Sequence, residues 1–194
     1  MKVRSLVLVA VIALLSLALA SGAALASVEV VGKLPKAHGP AVVTTCGQSP
    51  GALMIKMLGN MVKLPIEEQG LLNADQAKKF KTVFITMGTS LKGMGAAGID
   101  IDAEVKRVNA VIAQAKKSGA LVIGTQLEGP SRRTDETDEL SNKTVSSQAD
   151  VLIIRKDVNG DGFFTKQAKA KGIPIVLVDQ AMEAKDVLKT LFGL

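Results

Sequence analysis

Short apolar runs rich in β-branched residues alternate with longer amphipathic segments along most of the chain. The runs are apolar at odd and even positions alike, which is typical of strands covered on both faces of a parallel sheet. Five such runs predict strands at Ala41–Cys46, Thr82–Met87, Leu121–Thr125, Val151–Arg155 and Ile175–Val178. The segment Lys63–Ala77 is ambiguous and leaves room for a short edge strand around Leu64–Glu67.

The amphipathic segments predict helices between these strands. The clearest is Asp100–Lys117, which has an apolar stripe at helical spacing, acidic residues in its first turn and lysines in its last. Further helices are predicted at Pro50–Val62, Ala74–Phe80, Thr134–Ser147, Phe164–Lys171 and Ala181–Leu191. The alternation predicts an α/β three-layer sandwich around a mainly parallel, five-stranded sheet of the flavodoxin-like or Rossmann-like kind.

The first residues have the layout of an export signal. Two basic residues precede an uninterrupted apolar run, Leu6–Ala20, and the small residues of Ala24-Leu25-Ala26 follow it. The apolar run is shorter than the roughly 20 residues that a spanning helix needs. We therefore predict a signal peptide at 1–26, a single α/β domain at 27–194, and a periplasmic or extracellular location.

Charge and composition narrow the classes of partner. The formal charge of +6 comes mostly from lysines scattered along the predicted helices, so a nucleic-acid surface is not indicated. The chain has no Trp or Tyr and five Phe, whereas nucleic-acid and sugar sites use exposed aromatic rings. A single cysteine excludes an internal disulfide. After signal cleavage we expect no membrane association, and the oligomeric state is left open.

The loops at the carboxyl edge of the predicted sheet carry most of the polar chemistry. Ligands bind at this edge in open α/β sheets. Glycine, serine, lysine and arginine are concentrated in the loops Gly47–Gly51, Gly88–Gly98, Gln126–Arg133 and Lys156–Gly162. They predict a site for a small anionic molecule or partner group, with candidate ligand-binding residues Gly47, Gln48, Ser49, Gly88, Thr89, Ser90, Lys92, Gly93, Gly95, Arg132, Arg133 and Asn159.

The first of these loops resembles two catalytic motifs. Residues 47–51 fit G-x-S-x-G, but the only histidine precedes Ser49, and Pro50 has no N–H for an oxyanion hole. We instead expect Ser49 to cap a helix in which Pro50 occupies the first position. Cys46 lies before a helix N-terminus, where a thiol can be activated, but no assisting residue follows at the required spacing. A small buried apolar role is favoured for Cys46.

The second loop, Gly88–Gly98, contains a G-x-G-x-x-G triplet at Gly93, Gly95 and Gly98. The triplet begins too far from the strand end for a dinucleotide site, and Met94 replaces the lysine of a phosphate-binding P-loop. A glycine-rich loop that cradles a small anion with Lys92 and backbone N–H groups, and a tight connection without a ligand, both remain open.

Two further loops carry charged residues. Arg132 and Arg133 suit carboxylate or phosphate, although paired arginines in solvated loops are common. Residues 157–162 match the first half of a calcium loop, but Ala168 stands where the closing carboxylate belongs. Calcium held by Asp157, Asn159 and Asp161 is therefore kept only as an alternative to an Asn-Gly turn. No other cofactor is expected.

Three motifs taken together resemble a known family. They are TTCGQS at 44–49, KGMGAAGID at 92–100 and NGDGFFT at 159–165. This combination resembles a family of small exported prokaryotic α/β domains of unknown function, over nearly the whole of the predicted mature chain. The resemblance implies the fold and export, and it implies no reaction.

Three hypotheses of function follow. The leading one is an exported domain that binds a small anionic ligand or partner group at the carboxyl edge. This hypothesis favours a binding protein over an enzyme. The second is a hydrolase or transferase that uses Cys46 or the carboxylates of Asp157 and Asp161. The third is a structural or interaction module without a small-molecule site.

Overall fold

A computed structural model describes residues 28–194 as one seven-stranded sheet with helices on both faces. The predicted signal peptide, 1–26, lies outside the described residues. The order across the sheet is β1-β7-β6-β5-β4-β2-β3. The strands are β1 Val28–Val31, β2 Ala41–Cys46, β3 Ile66–Glu68, β4 Thr82–Met87, β5 Leu121–Gln126, β6 Val151–Arg155 and β7 Ile175–Val178.

The helices connect successive parallel strands, as the alternating pattern predicts. They are α1 Gly51–Met61, α2 Ala74–Ala77, α3 Leu91–Ala97, α4 Ile101–Lys117, α5 Glu136–Ser146, α6 Phe163–Lys171 and α7 Ala184–Phe192. Short 3₁₀ turns at Pro130–Arg132, Lys156–Val158 and Ala181–Glu183 precede α5, α6 and α7.

The five strands predicted from apolar runs are confirmed, but the count of five is wrong for the sheet. The sixth strand, β3, lies in the segment whose structure is ambiguous in the sequence, and it pairs in parallel with β2. The seventh, β1, pairs antiparallel with β7 and has mostly exposed side chains. Because an exposed edge strand of four residues carries neither a continuous apolar run nor a long alternation, its sequence gives no strand signal.

Two apolar layers enclose the sheet. Helices α1 and α7 bury residues such as Ile55 and Leu188 against one face. Helices α2, α4, α5 and α6 bury residues such as Val108 and Phe164 against the other. Each fully buried side chain of this size contributes about 1.5–3 kcal/mol through removal from water. The α/β sandwich is thus confirmed.

The direction in which the sheet grows reverses at β2. The next strand, β3, lies on one side of β2, and β4 lies on its other side, followed outward by β5, β6 and β7. In open α/β sheets the crevice at such a reversal is the usual place for a ligand. Gly47 and Gly88, which follow β2 and β4, stand at this point.

The glycine-rich loop predicted at Gly88–Gly98 is wrong for most of its length, because seven of its residues form α3. The Ser90 side chain caps this helix by accepting a hydrogen bond from the Gly93 N–H at 3.1 Å. A Cβ atom on Gly93 would lie 2.2 Å from the carbonyl oxygen of Gln48. The glycine at position 93 therefore allows α3 to pack closely on the loop after β2, and it does not serve to make the backbone mobile.

A search of residues 28–194 finds no helix with the length and apolar character needed to cross a membrane.

Candidate functional site

The loops that follow β2 and β4 are packed directly against each other. The Ser90 N–H donates to the Gly47 carbonyl at 2.8 Å, and Gln48 and Thr89 form an isolated antiparallel bridge. Gly47 has φ of +124°, and a Cβ atom there would lie 2.6 Å from the Gly88 carbonyl oxygen. The backbones at the reversal point therefore fill the space between them.

The loop after β5 joins this cluster through Glu128 and Arg132. The Glu128 carboxylate accepts from the Gly51 N–H at 3.0 Å, at the start of α1. Arg132 donates to the same carboxylate at 2.9 Å and to the Thr89 carbonyl at 2.6 Å. One ion pair thus ties the loops after β2, β4 and β5 together.

The loop after β6 is held by Arg133. Its guanidinium donates to the Val158 carbonyl at 2.9 Å and forms ion pairs with Glu139 and Asp161. It also lies 5.1 Å from the ring centroid of Phe163. The hydrogen bonds that Arg133 donates to Glu139 raise its pKa, and those that it donates to Asp161 add to the effect. The arginine side chain is only 15% exposed, so it acts as an internal clamp.

Glu104, in the first turn of α4, lies beneath the loop after β2. Its side chain is fully buried. Its carboxylate accepts hydrogen bonds from the Gly47 N–H and the Gln48 side-chain amide, both at 2.9 Å. Arg107, one turn later, donates two further hydrogen bonds at 2.9 and 2.8 Å. A buried charge is tolerated only with such partners.

Arg107 extends this network to the neighbouring segments. It donates to the carbonyl oxygens of Thr45 at 2.6 Å and Leu72 at 2.7 Å, and to the Thr44 hydroxyl at 3.2 Å. The Glu104–Arg107 pair consequently fixes the end of β2, the loop after it and the segment that leads into α2.

The pKa of Glu104 reflects two opposing effects. Burial raises it, whereas the hydrogen bonds from Arg107, Gly47 and Gln48 lower it, and the net result lies below the ordinary value of 4.5. The carboxylate is therefore ionised at neutral pH and is fully engaged within the protein.

At the carboxyl edge, where an anionic ligand is predicted, carboxylates of the protein itself accept hydrogen bonds from backbone N–H groups. Glu104 accepts from Gly47, and Glu128 accepts from Gly51. The third carboxylate is Asp138, which accepts from the Thr89 N–H at 2.7 Å. The carboxyl edge thus has the donor geometry of an anion site and supplies the anions from its own chain.

The predicted binding residues divide into two groups. Most are brought together by the contacts between loops: Gly47, Gln48, Gly88, Thr89, Ser90, Gly93, Arg132 and Arg133. Ser49 is buried within the first loop. Lys92 and Gly95 lie on the exposed side of α3, and Asn159 lies in the loop after β6. The four predicted carboxyl-edge loops therefore do meet, as a packed cluster.

The predicted capping role of Ser49 is wrong. Pro50 is the residue that precedes α1, and no side chain of the loop itself caps the helix. Glu128, from the loop after β5, takes the first N–H group of α1 instead. The Ser49 hydroxyl is buried and has no hydrogen-bond partner among the described residues.

The residues of the calcium alternative have other partners. Asn159 caps α6, because its side-chain oxygen accepts from the Phe164 N–H at 3.0 Å. Asp157 pairs with Arg155, and Asp161 pairs with Arg133. Within residues 28–194 no group of three or more His, Cys, Asp or Glu side chains is arranged to hold a metal ion.

Cys46 is a buried thiol at the end of β2. Burial raises its pKa to about 12, although a contact with Ser141 acts in the opposite direction. Its backbone carbonyl accepts a short hydrogen bond from the Ser141 hydroxyl. A nucleophilic cysteine needs an exposed thiolate, so this environment does not support thiol catalysis.

The acidic residues that organise the edge are not among the residues predicted for the site. In the sequence, Glu104 indicates only a favourable charge in the first turn of a helix. It falls, however, on the same buried stripe as Val108, Val111 and Ala115. A carboxylate on an apolar stripe, with an arginine three residues later, is the signal that could have identified the buried pair.

A second surface feature lies on the outer side of α1. We call it the methionine groove; its lining residues are Pro50, Leu53, Met54, Met57, Leu58, Met61, Ala181 and Met182, and its volume is about 350 Å³. Leu53 at 52%, Met57 at 52% and Met61 at 54% are about half exposed. Met182, at 49%, faces the same groove from the turn before α7.

Other cavities lie at the carboxyl edge and are lined mostly by charged and polar residues. A cavity of about 260 Å³ between the loops after β5 and β6 is bordered by Arg133, Asp157 and Asp161. A larger one, about 550 Å³, runs along the start of α5 beside Arg133 and Glu139. The ion pairs of Arg133 with Asp161 and of Arg155 with Asp157 balance the charge in the smaller cavity. In the larger one Arg133 pairs with Glu139, whereas Glu136 and Lys143 form no ion pair among the described residues.

Replacing Glu104 is expected to destabilise the fold. Glu104→Gln leaves Arg107 without its anionic partner in a buried setting, so the free energy of unfolding should fall by about 3–5 kcal/mol in urea denaturation at neutral pH. The lowered pKa of Glu104 implies that its stabilising contribution is present above the ordinary value of 4.5 and is lost as the pH falls through the lower folded-state value. The difference between the two proteins should therefore shrink in acid.

The matched control is Asp102→Asn, which removes an exposed carboxylate from the same helical turn. It should cost about 0.5 kcal/mol, the value of one charge at a helix N-terminus. Equal losses in the two variants would contradict the assigned role of the buried pair.

Cys46 should destabilise the protein in alkali. Its thiol has an ordinary pKa of 9.0 and a folded-state pKa of about 12, so only the unfolded chain ionises between these values. Between about pH 8 and pH 10 this costs the wild type about 1.4 kcal/mol, and Cys46→Ala should be spared that loss. Parallel pH profiles of unfolding free energy for the two proteins would show that the thiol is not buried as described.

Comparisons with known proteins agree with a domain whose chemistry is not established. No curated protein shows significant similarity to the chain. The sequence profile of one family matches residues 38–192, which includes every described element except β1. The chain therefore belongs to the family described as a domain of unknown function (DUF6305).

Proposed function

We propose that the protein is a non-catalytic interaction domain that receives an amphipathic helix of a partner protein in the methionine groove. The observation that carries the proposal is the half exposure of Leu53, Met57 and Met61, which form an apolar stripe along the whole of α1. Contiguous exposed apolar surface bordering a groove is typical of a binding site.

The carboxyl edge is the weaker candidate. Glu104, Glu128 and Asp138 occupy the N–H groups that would receive an anionic ligand. A second anion would meet these charges at close range, and the repulsion would oppose its binding. The enzyme alternatives are also disfavoured, because Cys46 is buried and Asp157 and Asp161 pair with arginines.

The lining of the groove favours a protein segment over a small ligand. Pockets for small molecules combine apolar walls with a few convergent polar groups that orient the ligand. Proline, leucine, methionine and alanine alone line this groove. Leu53, Met57 and Met61 follow each other at intervals of four, the spacing that a helix presents to a second helix. Methionine side chains adapt to the shape of such a partner.

The size of the patch argues against self-association. Four half-exposed side chains expose on the order of 400 Å², within the range of functional patches on monomers. Two copies of the patch would bury about 800 Å² in total, below the 1,200–2,000 Å² of stable interfaces. A partner that wraps α1 and also reaches the turn at Ala181–Glu183 can bury more.

The charges beside the groove favour an acidic partner. Lys56 is the only charged residue of α1, and Lys63 follows the end of the helix. Neither lysine takes part in an ion pair among the described residues. Acidic side chains on the flank of an incoming helix would gain from both, mainly through faster association.

We also propose a flavodoxin-like arrangement for the sheet. The order β3-β2-β4-β5-β6 corresponds to the 2-1-3-4-5 order of that group when the parallel strands are numbered along the chain. The sixth parallel strand, β7, and the antiparallel edge strand β1 extend it.

Export is part of the proposal. The basic residues, apolar run and small residues of 1–26 support a cleaved signal. Cleavage after Ala26 would leave β1, which starts at Val28, intact in the sheet. The domain would then meet its partner in the periplasm or outside the cell.

The groove can be tested with a synthetic helical peptide of about 16 residues that carries leucines at positions i, i+4 and i+7 and glutamates on its flanks. Fluorescence anisotropy of the labelled peptide should show saturable binding to the purified protein. Leu53→Asp should weaken binding at least about tenfold, because one charge at the contact costs more than 1.4 kcal/mol.

The matched control is Leu91→Asp, since Leu91 is another leucine that is 70% exposed in the first turn of a helix. It should bind the peptide as the wild type does. Four results would overturn the proposed partner. The protein could prefer a peptide with lysines in place of glutamates, or both variants could weaken peptide binding equally. It could instead bind decanoate saturably, or form a dimer that Leu53→Asp dissociates.

Signal cleavage can be tested by expression of the full chain in a bacterium. Intact-mass spectrometry of the exported protein should give a polypeptide that starts at Ser27. Ala26→Arg should abolish processing, because signal peptidase requires a small residue at the cut. Ser21→Arg, outside the recognised positions, is the control. Unprocessed wild-type protein in the cytoplasm would contradict export.

A further inference from the structure

The methionines of the chain are unevenly distributed. The sequence contains seven, and four of them, Met54, Met57, Met61 and Met182, line the methionine groove. Met54, Met57 and Met61 recur at i, i+3 and i+7, which places their side chains along one side of α1. Met182 approaches from the turn before α7.

The other described methionines show what the residue does when it serves packing. Met87 and Met94 are 1% and 5% exposed and belong to the interior. Met57, Met61 and Met182 are about half exposed, so filling of core space does not explain them. Leucine would provide the same apolar area, so methionine adds two further properties, a more flexible side chain and a soft thioether sulfur.

We propose that the four thioethers of the methionine groove form a binding site for a soft monovalent metal ion, Cu(I). Thioether sulfur is a soft ligand that selects Cu(I) over the harder divalent ions. No carboxylate or imidazole lines the groove, so the hard cations that prefer oxygen have no ligand there. The ion binds by exchange of its previous ligands, and no electron transfer is involved.

The geometry of the groove suits such a site. Three donors lie on the rigid scaffold of α1, and the fourth lies on a separate segment, so the ion would join the helix to the turn before α7. Methionine has three rotatable side-chain bonds, which let sulfurs from neighbouring turns converge on one ion. The groove volume of about 350 Å³ leaves room for this movement.

The site has a distinctive chemical signature. Cysteine, histidine and carboxylate ligands must lose a proton before they bind metal, so their affinities fall in acid. Thioethers carry no proton, so Cu(I) affinity at this site is independent of pH. The cysteine of the chain offers no competing site, because Cys46 is fully buried.

The test is an anaerobic titration of the purified protein with Cu(I) in competition with a chromophoric Cu(I) chelator. One equivalent should bind with the same affinity at about pH 5 and pH 7. The variant with Met54→Leu, Met57→Leu, Met61→Leu and Met182→Leu conserves side-chain volume and should lose at least about a hundredfold in affinity. The control is Met87→Leu with Met94→Leu, which should bind as the wild type does.

Ag(I) provides a second readout, because its binding shifts the methyl signals of methionine in NMR spectra. The four groove methionines should shift, and Met87 and Met94 should not. The proposal would be overturned if the fourfold variant kept its Cu(I) affinity or if the wild type bound Cu(I) more tightly at higher pH. Signal shifts confined to the interior methionines would also overturn it.

The metal site uses the sulfurs of the groove, whereas the helix-binding function uses its apolar area. Leu53→Asp removes apolar area and keeps all four thioethers, so it should lose the helical peptide and still bind Cu(I). Loss of one activity without the other tells which of the two proposals fails.

Discussion

The buried ion pair of Glu104 and Arg107 is the interaction on which the carboxyl edge of the sheet depends. A charge without solvent is costly, and here every oxygen and nitrogen of the pair is directed at a loop, a strand end or its partner. Because the pair spans α4, β2 and the segment before α2, its stability requires all three to be in place. The loop after β2 is rigid for this reason, and its conformation is set from below by α4.

The same physics explains why the edge resembles a binding site in sequence. Loops rich in glycine, with N–H groups that point outward, are what an anion-binding site requires. They are also what the chain needs to receive carboxylates from its own α4, α5 and β5 loop. Gly47, Gly51 and Thr89 use their N–H groups in this second way. Residue types alone cannot distinguish the two uses, because the donors are identical and only the origin of the acceptor differs.

The pattern of apolar and polar residues within short segments predicts the elements whose burial depends only on that pattern. The five buried strands and α4 are predicted nearly to the residue, since two-sided burial and helical spacing are properties of short segments. β1 and α3 were missed because the first is exposed and the second is rich in glycine, so tertiary contacts decide their structure. Glu104 lies on a buried stripe with Arg107 three residues later, so a local pattern can identify the pair. The loop that the pair holds is about 57 residues away in the sequence, and the local pattern does not show which loop it is.

Helix α1 differs from the other helices in the way its apolar surface is covered. Ile55 and Leu58 face the sheet, but Leu53, Met57 and Met61 continue the apolar character around the helix to the solvent side. A helix that is apolar all round is normally covered on all sides. The charged helix α4, by contrast, presents lysines and acidic residues to the water. Met54 and Leu58 also pack on the core, but Leu53, Met57 and Met61 remain about half exposed, which is more apolar surface than packing on the sheet requires. This excess, together with the concentration of methionine sulfur beside it, is the basis on which we propose a partner helix and a metal ion for the groove.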